Sequence, residues 1–254
     1  MDISGKTAIV TGSAVGVGRA VALDLAKRGA NVVVNYSRSE AEARQTLAEA
    51  EALGAKALLA RADISQDDQV RDMVNQTLGR FGAVDILVNN AGITYFVNFD
   101  DLEGLTEEIW DRIYAVNVKG LFFCSRAVIP PMKRQGEGCI VNISSVSGVR
   151  AVGSSIAYCA SKAAVINMTV AFARTFAPEV RVNCVAPGFV DTRWHQARRD
   201  AAEYEEFKAA VGRMTPLGRI STPEDVSRVV LDFIEAEQVT GQTLLVDGGI
   251  ALGR

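Results

Sequence analysis

A chain of 254 residues with 48% apolar side chains can bury a large core, and it has the length of one large α/β domain or two small ones. Its net charge of −3 offers no basic surface to nucleic acid, and no uninterrupted apolar run reaches the roughly 18 residues that span a bilayer. The opening residues, Met1-Asp-Ile-Ser-Gly-Lys6, lack the charged-then-apolar pattern of a secretory signal.

In chain order, short β-branched runs alternate with helical patterns. Residues 7–11 read as a strand, 16–28 as a helix and 31–35 as a second strand. Residues 39–53 form a charged amphipathic helix closed by Gly54, and 56–60 a third strand. A helix over 66–80 and a strand over 84–88 follow, then a long helical region over 106–134. The last elements are a strand over 139–143, a helix over 157–177, a strand over 180–185 and a strand over 243–246. Continuous apolar strands alternating with helices predict an α/β fold: one doubly wound parallel sheet of about seven strands, with helices on both faces. Nothing reads as a linker or repeat, so residues 1–254 are expected to form a single domain. Residues 188–222 break the rhythm. They hold Trp194, His195, Arg198, Arg199 and a mixed-charge helix, and read as an excursion covering the sheet.

Four cysteines, Cys124, Cys139, Cys159 and Cys184, stand singly in apolar contexts, which predicts buried reduced thiols and a cytoplasmic location. His195 is the only histidine, which argues against a histidine-based triad or a His-rich metal site.

Between the first strand and first helix, Gly12, Gly16 and Gly18 are spaced Gly-x3-Gly-x-Gly, with Ser13, Val15 and Val17 among them. Glycines here let backbone approach a pyrophosphate, whose charge the helix N-terminus favours, so the loop reads as the dinucleotide site of a Rossmann fold. After the second strand, Asn35, Tyr36, Ser37 and Arg38 stand where a carboxylate would hold the ribose 2′-hydroxyl of NAD. Arg38 and Ser37 can instead bind a 2′-phosphate. NADP(H) is therefore favoured, with NAD(H) kept open because Val15 supplies no second basic group and Arg38 also reads as a solvated helix-entry charge.

Tyr158 and Lys162 lie four residues apart, on one face of the helix over 157–177. A nearby ammonium favours the phenolate, which suits the pair to proton transfer in carbonyl or alcohol chemistry.

Together these motifs resemble the short-chain dehydrogenase/reductase family over essentially the whole chain. Residues 11–18 are similar to its TGxxxGxG loop, Asn89-Asn90-Ala91-Gly92 to its NNAG turn, and Tyr158 with Lys162 to its YxxxK pair. Asp63 and Ile64 resemble its adenine-contacting pair, Asn117 its active-site asparagine, and Ser145, thirteen residues ahead of Tyr158, its catalytic serine. Pro187, Gly188, Val190 and Thr192 match the segment that covers the nicotinamide. The resemblance implies that Tyr158 exchanges the proton, Lys162 lowers its pKa and binds the nicotinamide ribose, and Ser145 holds the substrate oxygen. Asn117 would position a water linking Lys162 to solvent. Hydride transfer of this kind implies no metal.

Asn35-Tyr-Ser37 and residues 240–249 are most similar to the 3-oxoacyl-[acyl-carrier-protein] reductase-like branch. That branch implies a small carbonyl or alcohol substrate, 3-oxoacyl thioesters among them. The aromatic, acidic segment 93–104 departs from the branch, and Ala177-Pro-Glu179 offers no basic edge to an acidic carrier protein, although Lys133 and Arg134 could partly compensate. Arg150, Val152, Ser154, Phe189, Trp194 and His195 are candidates for the pocket wall or for loop packing. The apolar tail over 247–254, taken with the family's habit, implies a homotetramer. Two alternatives are an NAD-dependent sugar, polyol or secondary-alcohol dehydrogenase and an NADP(H)-sensing regulator without turnover. The intact Tyr158 and Lys162 weigh against the second.

Overall fold

The β-branched runs form seven strands in the computed structural model, which describes residues 1–196 and 199–252, the side chain of His195 excepted. They are β1 (Thr7–Val10), β2 (Asn31–Tyr36), β3 (Ala57–Arg61), β4 (Ile86–Asn89), β5 (Gly138–Ile143), β6 (Val180–Pro187) and β7 (Thr243–Val246). The order across the sheet is β3-β2-β1-β4-β5-β6-β7, and every neighbouring pair is parallel. β1, β4 and β5 are buried along their whole length, which explains why they read as unbroken apolar runs. The order reverses between β1 and β4, and the crevice at their carboxyl ends is where such sheets take ligands.

The helices are α1 (Gly16–Lys27), α2 (Glu40–Ala52), α3 (Asp67–Phe81), α4 (Glu107–Tyr114), α5 (Leu121–Gln135), α6 (Ser147–Arg150), α7 (Ile156–Phe176), α8 (Arg193–Gln196), α9 (Ala201–Met214) and α10 (Pro223–Glu235). Alternate strand residues feed two cores. Val10, Val34 and Val88 pack with Val21 and Leu25 of α1 and Val230 and Ile234 of α10. Ile9, Val33 and Leu87 pack on the other face with Val70 and Met73 of α3 and Val128 and Met132 of α5.

Three features depart from the sequence pattern. The helical region over 106–134 is not uniform: α4 and α5 are joined by a π-helical turn, Ala115–Gly120. α10 had no counterpart among the predicted elements, although Thr222 and Asp225 close its first turn as a capping box, with Pro223 between them. α7 is long and apolar enough to cross a bilayer by length and composition alone. It is instead laid on the sheet, with Val165 buried against Cys184 and Leu121.

The excursion over 188–222 leaves the sheet as expected and carries α8 and α9. Its two feet are pinned together: Asp191 N donates to Ser221 O at 2.9 Å, and Ser221 N donates to Phe189 O at 3.0 Å. Arg198 lies outside the described residues.

Candidate active site

The turn from β1 into α1 is tied from behind. Ser13 Oγ donates to Val10 O at 2.7 Å and accepts from Asn35 N at 3.0 Å, and Gly12 N donates to Asn35 Oδ1 at 3.0 Å. Ser13 and Asn35 are thus buried fixings of the loop. Gly12 needs its positive φ of +62°, and a Cβ there would come within 3.0 Å of Ala91 Cα. A Cβ on Gly18 would strike Asn90 Nδ2 and lie 2.6 Å from Gly12 O, so this glycine seats α1 against the 89–92 turn. No side chain caps α1 at Val15. Its first-turn N–H groups can therefore meet an anion, as a pyrophosphate requires.

A cleft of about 840 Å³ opens at the carboxyl ends of the strands. Of the expected site residues, Gly12, Val15, Gly16, Val17, Asn35, Ser37, Arg38, Asp63, Ile64, Asn90, Ala91, Gly92, Ser145, Tyr158, Lys162, Pro187, Gly188, Val190 and Thr192 line it. Four do not: Ser13 and Gly18 serve the loop as described, Tyr36 turns into the core beneath α1, and Asn117 sits behind Gly92. Tyr36 misses the cleft because β2 runs through it, so the pleat sends its ring into the helix layer.

At the β3 end, Asp63 accepts from Ser65 Oγ at 2.7 Å and from Arg112 Nη2 at 3.4 Å. Burial opposes its charge, but Ser65 and Arg112 outweigh it and hold the carboxyl below its ordinary range. Arg112 and Arg193 were not singled out by the sequence pattern, yet both line the cleft. Arg193, at the start of α8, reaches across to Glu42 Oε1 at 2.7 Å and Ser39 Oγ at 3.0 Å. It brings a second guanidinium to the wall that includes Ser37 and Arg38. No local signal marks a contact between residues this far apart in the chain. Arg38 is exposed and forms no ion pair among the described residues.

The end of the cleft around Tyr158 is built by α6 and α7. Ser155 caps α7, its hydroxyl accepting from Tyr158 N at 3.3 Å. Lys162 is buried and its Nζ donates to Ile143 O at 2.9 Å; burial pushes its pKa down to about 8. Its Nζ lies 5.8 Å from the Tyr158 ring centroid. Burial pushes Tyr158 up to about 12, with the Ser145 hydroxyl pulling the other way. The expected lowering of the phenol by Lys162 is therefore not what this structure shows: the ammonium is turned toward the Ile143 carbonyl, and desolvation dominates. Ser145 Oγ accepts from Ser147 N at 3.1 Å, whereas Ser144 Oγ is committed to Lys162 O at 2.7 Å as a strand-end fixing.

Asn117 stands in the π-helical turn. Its Nδ2 donates to Ile93 O at 2.9 Å and Ser161 Oγ at 3.0 Å, and its Oδ1 accepts from Ile93 N at 2.8 Å. Ser161 Oγ in turn donates to Tyr158 O at 2.7 Å. Asn117 thereby clamps the segment after β4 to the helix that carries Tyr158 and Lys162.

Gly148 sets the approach of α6 to α7. A Cβ there would lie 2.6 Å from Lys162 C and 2.7 Å from Lys162 O, both backbone atoms. Gly148→Ala is expected to cost about 1–3 kcal/mol by overpacking, seen as a Tm lower by roughly 2–10 °C. The same shift displaces Ser145 from Tyr158 and should lower kcat about 10²-fold. Thermal unfolding and turnover of the variant check both effects; normal values for the two would show that the helices separate freely.

Among the candidate wall residues, Trp194 lines the cleft with its ring centroid 6.3 Å from that of Tyr158. Ser154 is tied to Thr94 by a close hydroxyl contact, and Phe189 stacks edge-on against Phe207 at 5.0 Å. Arg150 and Val152 are exposed and outside the wall. The His195 side chain lies outside the described residues. Ile93, Thr94, Tyr95 and Phe96 line the cleft, although the sequence marked them only as an aromatic stretch.

Residues 6–203 match the short chain dehydrogenase family model. A Streptomyces violaceoruber protein named "Granaticin polyketide synthase putative ketoacyl reductase 2" is 42% identical, with 96% of each chain covered. The 3-oxoacyl-[acyl-carrier-protein] reductase FabG of Staphylococcus epidermidis is 37% identical over 96% of this chain and 98% of its own. The crystal structure of levodione reductase superposes with a TM-score of 0.90 at 28% identity, covering 99% of both chains.

Proposed function

The chain belongs to the short-chain dehydrogenase family, an oxidoreductase acting on CH–OH/C=O groups with a nicotinamide cofactor, and from that premise we propose that it reduces a ketone with NADPH, Tyr158 giving the proton. The observation that carries this reading is the buried phenol beside Ser145. A phenol carries its proton at neutral pH even at its ordinary pKa, and burial pushes Tyr158 further the same way; this is the state that donates to a carbonyl oxygen.

The residues fit the cofactor: Gly12, Gly16 and the uncapped start of α1 would hold the pyrophosphate, Asp63, Ile64 and Asn90 the adenosine side, and Lys162 the nicotinamide ribose. When bound, the nicotinamide supplies a hydride to the carbonyl carbon and is oxidised. The π electron pair of the carbonyl moves onto oxygen, which takes the proton of Tyr158 Oη. Ser145 Oγ donates to the same oxygen and stabilises its developing charge. The tyrosinate recovers its proton from solvent.

Ser37, Arg38 and Arg193 support NADP(H) over NAD(H). Arg38→Ala is expected to weaken NADPH binding about tenfold to a hundredfold while leaving NADH nearly unchanged. Fluorescence titration of both cofactors on the parent and the variant checks it. Tighter binding of NADH to the parent would overturn the assignment and turn the screen to oxidation of sugars, polyols or secondary alcohols.

The names of the relatives bring 3-oxoacyl thioesters into the substrate panel. A carrier-protein partner has less support, from Lys133 and Arg134 at the exposed end of α5. Exposed apolar side chains at Phe122, Val170, Leu244 and Leu252 support association with further copies, as a homotetramer. Four free, buried cysteines support a cytoplasmic setting.

A further inference from the structure

The cleft is divided by charge. Its lining cations are Arg38, Arg112, Arg193 and Lys162. Arg112 is bound to Asp63 at the end of β3, Arg193 to Glu42 and Ser39 of the α2 turn, and Arg38 follows β2. All three belong to the wall assigned to the dinucleotide. Lys162 is the one cation at the catalytic end among the described residues, and its ammonium is turned to the Ile143 carbonyl.

Around Tyr158 the wall is instead aromatic. The segment after β6 brings Trp194 to 6.3 Å from the Tyr158 ring, at a 54° tilt. The segment after β4 brings Ile93, Tyr95 and Phe96. This second segment is held in place: Val97 N donates to Ser154 O at 2.9 Å, Thr94 and Ser154 share a close hydroxyl contact, and Asn117 clamps Ile93. Trp194, Tyr95 and Phe96 line the cleft and are each about two-fifths exposed, with relative areas of 38%, 40% and 40%. Aromatic side chains lining a wall reward a flat or rigid ring, which adds ring–ring contact and has little conformational freedom to lose. A flexible acyl chain gains less from them. Among the described residues that line this end, Lys162 is the one cation a carboxylate or phosphate on the substrate would meet, and it is held by the Ile143 carbonyl.

Resting on the ketone-reductase reading, we infer that the preferred substrate is a neutral ketone whose carbonyl is part of, or directly attached to, a ring, and that Trp194 is the residue that recognises the ring. Trp194 is one of only two tryptophans, the other being Trp110 in α4, so its surroundings can also be read optically.

The test compares kcat/KM with NADPH for 2-tetralone and for 2-decanone, ketones of equal carbon number, with acetoacetyl-coenzyme A as the thioester control. The parent is expected to favour 2-tetralone about tenfold over both. In Trp194→Ala that ratio should fall about tenfold, mainly through KM for 2-tetralone, and Trp194→Phe should keep most of it. Quenching of tryptophan emission by 2-tetralone should be strong in the parent and weak in Trp194→Phe. A parent that turns over 2-decanone or the thioester as well as 2-tetralone would sink the ring preference and leave the reductase reading standing. An unchanged ratio in Trp194→Ala would remove Trp194 from the role. No turnover of any of the three, with NADPH bound, would bring down both readings.

Discussion

Tyr158→Phe is expected to lose about a thousandfold in kcat while binding NADPH as tightly as the parent. The substitution removes one oxygen and keeps the ring, so the contact with Trp194 and the backbone bonds from Tyr158 to Ser155 and Ser161 survive. What disappears is the group proposed as the proton donor. Ser145 remains and can still hydrogen-bond the substrate oxygen, but it cannot replace the phenol, because an aliphatic hydroxyl gives up its proton far less readily. Water entering the gap could supply a proton without the fixed geometry, which sets the residual rate. Stopped-flow reduction under single-turnover conditions separates this step from product release. A variant that keeps most of its rate would move proton transfer away from Tyr158 and leave the buried phenol without a catalytic role.

The sheet was legible in the sequence because each strand is a local pattern. Residues such as Ala8-Ile-Val10 and Ile86-Leu-Val88 are buried on both faces, and nothing but a parallel core asks for that composition. The glycine loop was legible for a similar reason, since Gly12 and Gly18 answer to close approach of backbone within one turn. Tyr158 and Lys162 were legible as a pair because one helix face places them, whereas Ser145 was marked only by the resemblance to the family's serine-to-tyrosine interval. The failures are non-local. Arg193 owes its position to a contact with Ser39 and Glu42, which no periodicity foretells. In the π-helical turn Asn117 is held by Ile93 after β4 and by Ser161 of α7, partners far from it in the chain that no local pattern marks. Tyr36 is the last residue of β2, one beyond the predicted strand end, and the pleat that sends Val32 and Val34 into the helix layer sends its ring there too. α10 is a different case: its Thr-Pro-Glu-Asp start is a strong local signal, obscured by its position just behind an irregular excursion.

Lys162→Met is expected to abolish useful activity and at the same time make the protein more stable. Lys162 is 5% exposed and holds its proton only up to about 8, against an ordinary 10.5. Keeping that ammonium charged in the folded protein at pH 7 therefore costs about 3 kcal/mol by linkage. Methionine fills similar space without a charge. It orphans the Ile143 carbonyl, which returns about 1–3 kcal/mol of the gain, so the net increase at pH 7 is about 1 kcal/mol. The pH dependence is the sharper measurement. A depressed folded pKa means that between about 8 and 10.5 the unfolded chain binds more protons than the folded one, so the penalty is complete below 8 and gone above 10.5. Parental stability should therefore gain on that of the variant as pH rises through this window. The buried thiols, pushed up by burial, act in the opposite direction; Cys124, Cys139 and Cys159 act nearly equally on both proteins and drop out of the difference, whereas Cys184, which the Lys162 ammonium pulls down, rises further in the variant and widens the relative gain of the parent. Tyr158, at about 12, starts from an ordinary 10 and leaves pH 8–10 clear. Urea unfolding of both proteins at intervals over that range measures the difference directly. Parallel curves would mean that Lys162 carries no desolvation penalty, and its ammonium would then have to be better solvated than its burial beside Ile143 allows. A closing gap would identify a site that holds a charge at the expense of the fold, which is what placing a cation beside a buried phenol requires.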